Sequence, residues 1–187
     1  CHSSVAIAGL GGLGSNIAMY LARAGVGHLH LVDFDKVDIT NLNRQQYDIA
    51  DLGTLKTDAL TKNIKRFNPF IEITSQCVKV NEDNAAEIFG GYKIVCEAFD
   101  KAENKAMLVN SILSECGDTK IVSGSGMAGF GSSNTIVTRK INDRFYLCGD
   151  AESDMNDGLA LVAPRVAICA AHEANMILRL LIGEKEV

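Results

Sequence analysis

Residues 9–16 read Gly-Leu-Gly-Gly-Leu-Gly-Ser-Asn, a spacing that lets a chain wrap around an anion. Gly9, Gly11 and Gly14 fall at the three positions of a phosphate-binding turn. The first permits a tight bend, the second lets the backbone approach phosphate, and the third lets the next helix pack close to its strand. Gly12 extends the same bare backbone surface, and a helix starting there turns its free N–H groups and positive dipole end toward the anion. Asp33 comes roughly 20 residues later, where an acidic side chain hydrogen-bonds ribose hydroxyls.

The segment after Asp33 supplies Asp35, Asn41, Arg44 and then Lys56, a polar and cationic series leading away from the ribose. A triphosphate must have its charge neutralised before its α-phosphorus can be attacked, and fixed Arg and Lys do this without solvent reorganisation. The series therefore favours ATP over a nicotinamide dinucleotide, whose hydride chemistry needs room for a second substrate that little chain is left to build. Asp35 serves equally well as part of the nucleotide loop or as loop structure. Asp100 follows an apolar run at the place where a carboxylate holds Mg2+, an ion that takes one or two carboxylates plus phosphate oxygens. The plainer reading of Asp100 is a helix N-cap.

Alternating elements must hold these groups in place. Val5–Ala8 and Leu29–Val32 read as buried strands around a helix with Ile17, Tyr20, Leu21 and Ala24 on one face and Gly25 at its end. Thr54–Phe67, Asn84–Phe89 and Lys101–Glu115 read as helices, and Ile71–Thr74, Ile94–Ala98 and Lys120–Ser123 as strands. After a glycine-rich turn from Gly124, Asn134–Arg139 and Arg144–Leu147 form a later strand pair. An acidic loop over 149–158 follows, and Pro164–Leu181 is a last helix, apolar around much of its circumference and so expected to be buried in the core or against a partner. The pattern predicts an α/β doubly wound, Rossmann-like, mostly parallel sheet with a C-terminal strand pair and helix, in a single domain over 1–187.

The 187 residues are enough for a proper core, and a net charge of −5 argues against nucleic acid as the main partner. No apolar run is long enough to span a bilayer, and no basic-then-apolar leader precedes the first strand, so the cytoplasm is the expected location. The six cysteines are scattered without a Cys-x-x-Cys pair. Cys96 and Cys169 lie in apolar runs and read as small core residues. The four histidines show no spacing suggesting a metal or a triad, and His172 reads as a hydrogen-bonded core or interface residue. The chain opens at Cys1 without Met, and an upstream segment is expected.

The chain resembles the ThiF/MoeB/ubiquitin-activating superfamily, and most closely the short ThiF-like sulfur carrier protein ThiS adenylyltransferases. The resemblance is carried by the glycine segment, by Asp33-Phe-Asp35 through Asn41-Leu-Asn-Arg44-Gln45, and by Gly53-Thr-Leu-Lys56 and Asn68-Pro69. It continues through Glu97-Ala-Phe-Asp100, Ser125-Gly-Met-Ala-Gly129, Tyr146-Leu-Cys148 and Ala163-Pro164-Arg165. It implies that Asp33 binds the ribose, that Asn41 and Arg44 contact the phosphates, and that Lys56 steadies the triphosphate, with Asp100 near Mg2+ and the α-phosphate. A ubiquitin-like carrier ending in Gly-Gly would supply the carboxylate, giving an acyl adenylate and pyrophosphate, with thiamine biosynthesis as the pathway and a homodimer as the assembly. A related target is the alternative, either a molybdopterin-synthase carrier or a tRNA-linked carboxylate. A non-catalytic nucleotide-binding subunit is a further alternative, and retention of all five polar residues speaks against it.

Three departures from the family pattern alter these expectations. Phe145 stands where the first cysteine of a zinc pair would be and the chain stops before a second pair, so zinc is not expected. No cysteine lies between Cys148 and Cys169, although some relatives carry an acyl-accepting one near the position of Asn156, so transfer to an external sulfur donor is expected. Cys148 reads as a half-buried strand-end cysteine more readily than as the acceptor. No arginine precedes Arg23, whereas relatives receive one from an upstream segment, often across a dimer.

Overall fold

Apolar residues that alternate along short β-branched runs give strands with two buried faces, as a parallel sheet covered by helices requires. The computed structural model describes residues 3–153 and 158–187. Its strands are β1 (Ser4–Ala8), β2 (His28–Val32), β3 (Glu72–Gln76), β4 (Ile94–Glu97), β5 (Lys120–Gly124), β6 (Val137–Lys140) and β7 (Phe145–Gly149). Its α-helices are α1 (Gly12–Arg23), α2 (Lys56–Lys65), α3 (Glu82–Phe89), α4 (Ala102–Glu115) and α5 (Ala163–Leu181). The described strands form one sheet in the order β3-β2-β1-β4-β5-β7-β6. Every pairing is parallel except β6 with β7.

The period-2 alternation of the strands divides the core in two. Val5, Ile7, Leu29, Leu31 and Cys96 face one layer with Ile17 and Leu21 of α1 and Cys169 and Ile177 of α5. Ala6, Ala8, Val32, Val95 and Ile121 face the other, with Phe89 of α3 and Leu108 and Ile112 of α4. Burying each such Leu, Ile or Phe side chain is worth about 1.5–3 kcal/mol. The expected burial of the last helix is met within the chain, since Val166, Cys169, Ala170, Glu173, Ala174 and Ile177 are all buried.

Most element boundaries shift by one or two residues from the sequence reading, and two shift for evident local reasons. The helix expected over Thr54–Phe67 is shorter because Leu55 is extended and bridges Lys36, and because the Asn68 side chain donates to the Ala22 carbonyl just before Pro69. The strand expected from Asn134 starts at Val137, because Ser132 caps a short 3-10 turn over Ser133–Thr135. Two further 3-10 turns, Ile39–Asn41 and Ile49–Asp51, went unread in the sequence. Asp38 and Asp48 cap them.

Candidate active site

The loops after β1, β2, β4 and β5 all open at the carboxyl edge of the sheet, where open α/β sheets bind ligands. Gly9 has φ +90° and donates its N–H to the Val32 carbonyl at 2.8 Å. A Cβ on Gly9 would lie 2.8 Å from the Ala98 carbonyl oxygen, and one on Gly14 only 1.8 Å from the Gly9 carbonyl oxygen. The turn is thus closed on three sides by backbone. Gly11 is open by comparison, with only the Gln45 amide 3.8 Å from where its Cβ would be. Gly12 would meet Val166 of α5 and the aliphatic stem of Arg44, so both helix N-termini and Arg44 converge on it.

Asp33 is buried, and its carboxylate accepts from the Leu10 N–H at 2.6 Å and the Asp35 N–H at 2.8 Å. Burial raises its pKa, against the opposing effect of Lys56 and the two amides. The same side chain therefore holds the glycine turn to the end of β2 and keeps spare lone pairs for hydroxyl donors. The Asp35 carboxylate pairs with the buried Lys56 ammonium at 2.9 Å. The bridge between Lys36 and Leu55 enforces this, since it brings the Lys56 N–H to the Asp35 carbonyl at 3.0 Å.

The Asn41 side-chain oxygen accepts from the Asp38 N–H and closes the capping box of its 3-10 turn. The backbone N–H groups of Arg44 and Gln45 return to the Asn41 carbonyl. The Arg44 guanidinium donates to Asn43 at 2.8 Å and to the Thr40 carbonyl at 3.3 Å. Its Nε and the Gln45 Oε1 are buried without a hydrogen-bond partner among the described residues. Unpaired buried polar atoms are costly, so this pair is suited to a polar ligand at the glycine turn.

Sequence reading missed the residues that fasten this segment to α1. Asn16 donates to the Gly12 and Arg44 carbonyls and accepts from Gln46, while Ser15 accepts from the Gln46 N–H. Tyr47 donates to the Leu10 carbonyl at 2.8 Å. Asn16 stands just past the glycines as a polar residue on an otherwise buried helix face, which was the available signal. Arg165 was also overlooked as a fastener. It pairs with Asp150 and donates to the Ser132 carbonyl, so Asp150 is a partly buried clasp. Within the acidic loop over 149–158, Asp154 and Asp157 lie outside the described residues, as do Asn156, Cys1 and His2.

Asp100 is exposed at the end of the β4 loop and makes no hydrogen bond or ion pair among the described residues. It does not cap α4, whose N-cap is Lys101 with no side-chain bond. The preceding Phe99 ring lies against Gly9, which places Asp100 at the mouth of the glycine turn. Cys148 is buried rather than half-buried, and burial, with the carboxyl of Glu173 adding to it, pushes its thiol far up, out of the reactive range. Cys96 and Cys169 are buried in the core. His172 is hydrogen-bonded to Thr138 at 3.0 Å. Among the described residues no group of three or more His, Cys, Asp or Glu side chains is placed to hold a metal.

The model of the ThiF family matches residues 1–187. The chain is 32% identical over 194 residues to the adenylyltransferase and sulfurtransferase MOCS3 of Dictyostelium discoideum, covering 100% of this chain and 44% of that protein. It is 39% identical over 127 residues to the adenylyltransferase and sulfurtransferase UBA4 of Scheffersomyces stipitis, covering 67% of this chain and 28% of that protein. The chain thus spans less than half the length of these curated relatives. The E. coli tRNA N6-threonylcarbamoyladenosine dehydratase TcdA, solved in complex with ATP, has the same fold, with a TM-score of 0.86 and 23% identity over 96% of this chain and 86% of that one. E. coli MccB solved with ATP matches at a TM-score of 0.74 and 21% identity, over 98% of this chain and 57% of that one.

Proposed function

The chain belongs to the ThiF family, and from that premise we propose that it adenylates a carboxylate with ATP, acting as one domain over 1–187. The observation that carries this reading is the meeting of the bare glycine backbone, the buried Asp33 carboxylate and the unpartnered Arg44 Nε at one sheet edge. Asp33 takes the ribose on its spare lone pairs. Gly9, Gly11, Gly12 and Gly14 present α1 and its free N–H groups to phosphate. Arg44 completes its hydrogen bonding on the phosphates beside Asn41. Lys56, held by Asp35, sets a fixed positive charge against the triphosphate.

The carboxylate oxygen attacks the α-phosphorus, the bond from that phosphorus to the bridging oxygen breaks, and pyrophosphate leaves with the electron pair. The nucleophile is already ionised, so no general base is needed. Positioning and charge stabilisation are the protein's contribution. Mg2+, if held by Asp100 and phosphate oxygens, supplies further charge neutralisation at the leaving group.

The relatives named as adenylyltransferase and sulfurtransferase support a ubiquitin-like sulfur carrier with a Gly-Gly tail as the partner. Within that class, the resemblance carried by the glycine segment and by Asp33 through Gln45 favours a ThiS-like carrier in thiamine biosynthesis, with sulfur arriving from an external donor and the enzyme working as a cytoplasmic homodimer.

Pyrophosphate–ATP exchange with a Gly-Gly-tailed ThiS carrier, run on the wild type and on Arg44→Ala, tests the reading. Carrier-dependent exchange is expected, falling by roughly 100-fold or more in the variant, as on loss of one preorganised transition-state donor. Exchange with a molybdopterin-synthase carrier or a tRNA-linked carboxylate instead would move the target and keep the chemistry. ATP binding without exchange on any of the three would leave a missing upstream arginine, another carrier, or a binding subunit, which repeating the assay with an upstream segment restored separates.

A further inference from the structure

Glu97, the last residue of β4, is fully buried, yet its carboxylate is ringed by four donor contacts. Oε1 accepts from the Phe99 N–H at 2.6 Å. The Lys105 ammonium, from the first turns of α4, lies 3.3 Å from Oε1 and 3.0 Å from Oε2. The Ser123 hydroxyl of β5 donates to Oε2. One carboxylate therefore ties together strand β4, its neighbour β5, helix α4 and the backbone of the turn between them.

That turn carries Phe99, whose ring lies against Gly9, and Asp100, which has no side-chain partner of its own among the described residues. With nothing holding the Asp100 side chain, its location is set by its backbone. The bond from the Phe99 N–H to Glu97 fixes that backbone one residue away. A buried ion pair of this kind adds little net stability over apolar packing, so the arrangement is better explained by what it orients.

We propose that Glu97, neutralised by Lys105, is a positioning residue: it sets the Phe99–Asp100 turn against the glycine turn so that Asp100 meets the reacting phosphate. The kinetic consequence rests on the adenylation reading above. Misplacing a reacting group by about 1 Å costs on the order of 100-fold in rate. Substrate affinity depends mainly on the glycine turn, Asp33 and Arg44, and is left intact.

The test compares Glu97→Ala, Glu97→Gln and Ile112→Val with the wild type. Ile112→Val is a core change on α4 away from the turn, and it reports what mild destabilisation alone does. Two readouts are needed: hydrogen exchange at the Phe99 amide, and kcat against KM for ATP in carrier-dependent pyrophosphate exchange. Glu97→Ala is expected to expose the Phe99 amide and to lower kcat by on the order of tenfold or more, with KM for ATP within about threefold. Glu97→Gln keeps an acceptor for that amide and is expected to restore its protection and much of kcat. Ile112→Val is expected to change neither.

A folded Glu97→Ala with unchanged kcat, or a loss equalled by Ile112→Val, overturns the proposal. So does a loss appearing only in KM. If the wild type gives no exchange with any carrier, the adenylation reading has failed, and the amide alone decides: protection lost in Glu97→Ala and kept in Glu97→Gln sustains the positioning role, while an unprotected wild-type amide ends it.

Discussion

Gly14 has less freedom than any other residue of the site. A methyl group there would lie 1.8 Å from the Gly9 carbonyl oxygen, a backbone atom that cannot swing away. Gly14→Ala must therefore push α1 off β1, and overpacking of this kind costs about 1–3 kcal/mol. A lower thermal midpoint together with weakened ATP binding is expected, measured by melting with and without ATP. An unchanged midpoint would mean the helix has slack that the close approach denies. The glycine spacing was legible because only glycine fits such an approach. The division of labour among the charges was not. Asp35 and Lys56 are 21 residues apart in sequence and become partners only because a bridge between Lys36 and Leu55 folds the loop back. Spacing names the residue types present, but which of two carboxylates a lysine meets depends on where the loop returns.

Helix α5 makes a different point, because it puts a carboxylic acid inside the apolar layer. Glu173 is fully buried, and its oxygens are met by the thiols of Cys96 and Cys169, with the bare Gly124 beside it. Burial pushes its pKa up to about 8, against the partial opposition of Lys105. The folded state thus keeps this proton to higher pH than the unfolded chain, whose carboxyl has the ordinary value near 4.5. Stability from this group is full below the unfolded value, declines as pH rises from about 4.5 to about 8, and levels off above. Glu173→Gln is expected to flatten that decline, so the variant gains on the wild type between pH 5 and 8 in urea melts. A constant difference across that window would show that Glu173 ionises normally in the fold. The apolar periodicity of the helix was visible in the sequence. The acid within it read as no exception, because a one-dimensional pattern does not reveal that both flanking layers close over it.

The whole chain brings its chemistry to one edge through connectivity. Crossover connections place β2 and β4 on either side of β1, so the loops carrying Asp33 and Asp100 flank the glycine turn. None of the described helices is long and apolar enough to cross a membrane. The proposed homodimer is tested by sedimentation of the full chain with and without ATP. A species of twice the protomer mass is expected, and a monomer at micromolar concentration in both conditions would remove the dimer from the proposal. Exposed apolar side chains such as Phe70 and Phe130 do not decide the matter, because single exposed hydrophobics are ordinary on monomers.

The order of strands and helices, the parallel sheet with its C-terminal strand pair, and the glycine turn followed by Asp33 were all determined by the sequence alone. These depend on local periodicity and on steric limits that single residues impose. Tertiary structure decided what the charged residues do. It turned Asp33 inward onto two backbone amides, gave Lys56 to Asp35, left Arg44 Nε without a partner, and set Glu97 beneath the Asp100 turn. It also placed β7, and not β6, beside β5. Pairings between residues far apart in sequence depend on loop paths and burial, which exist only once the layers have closed.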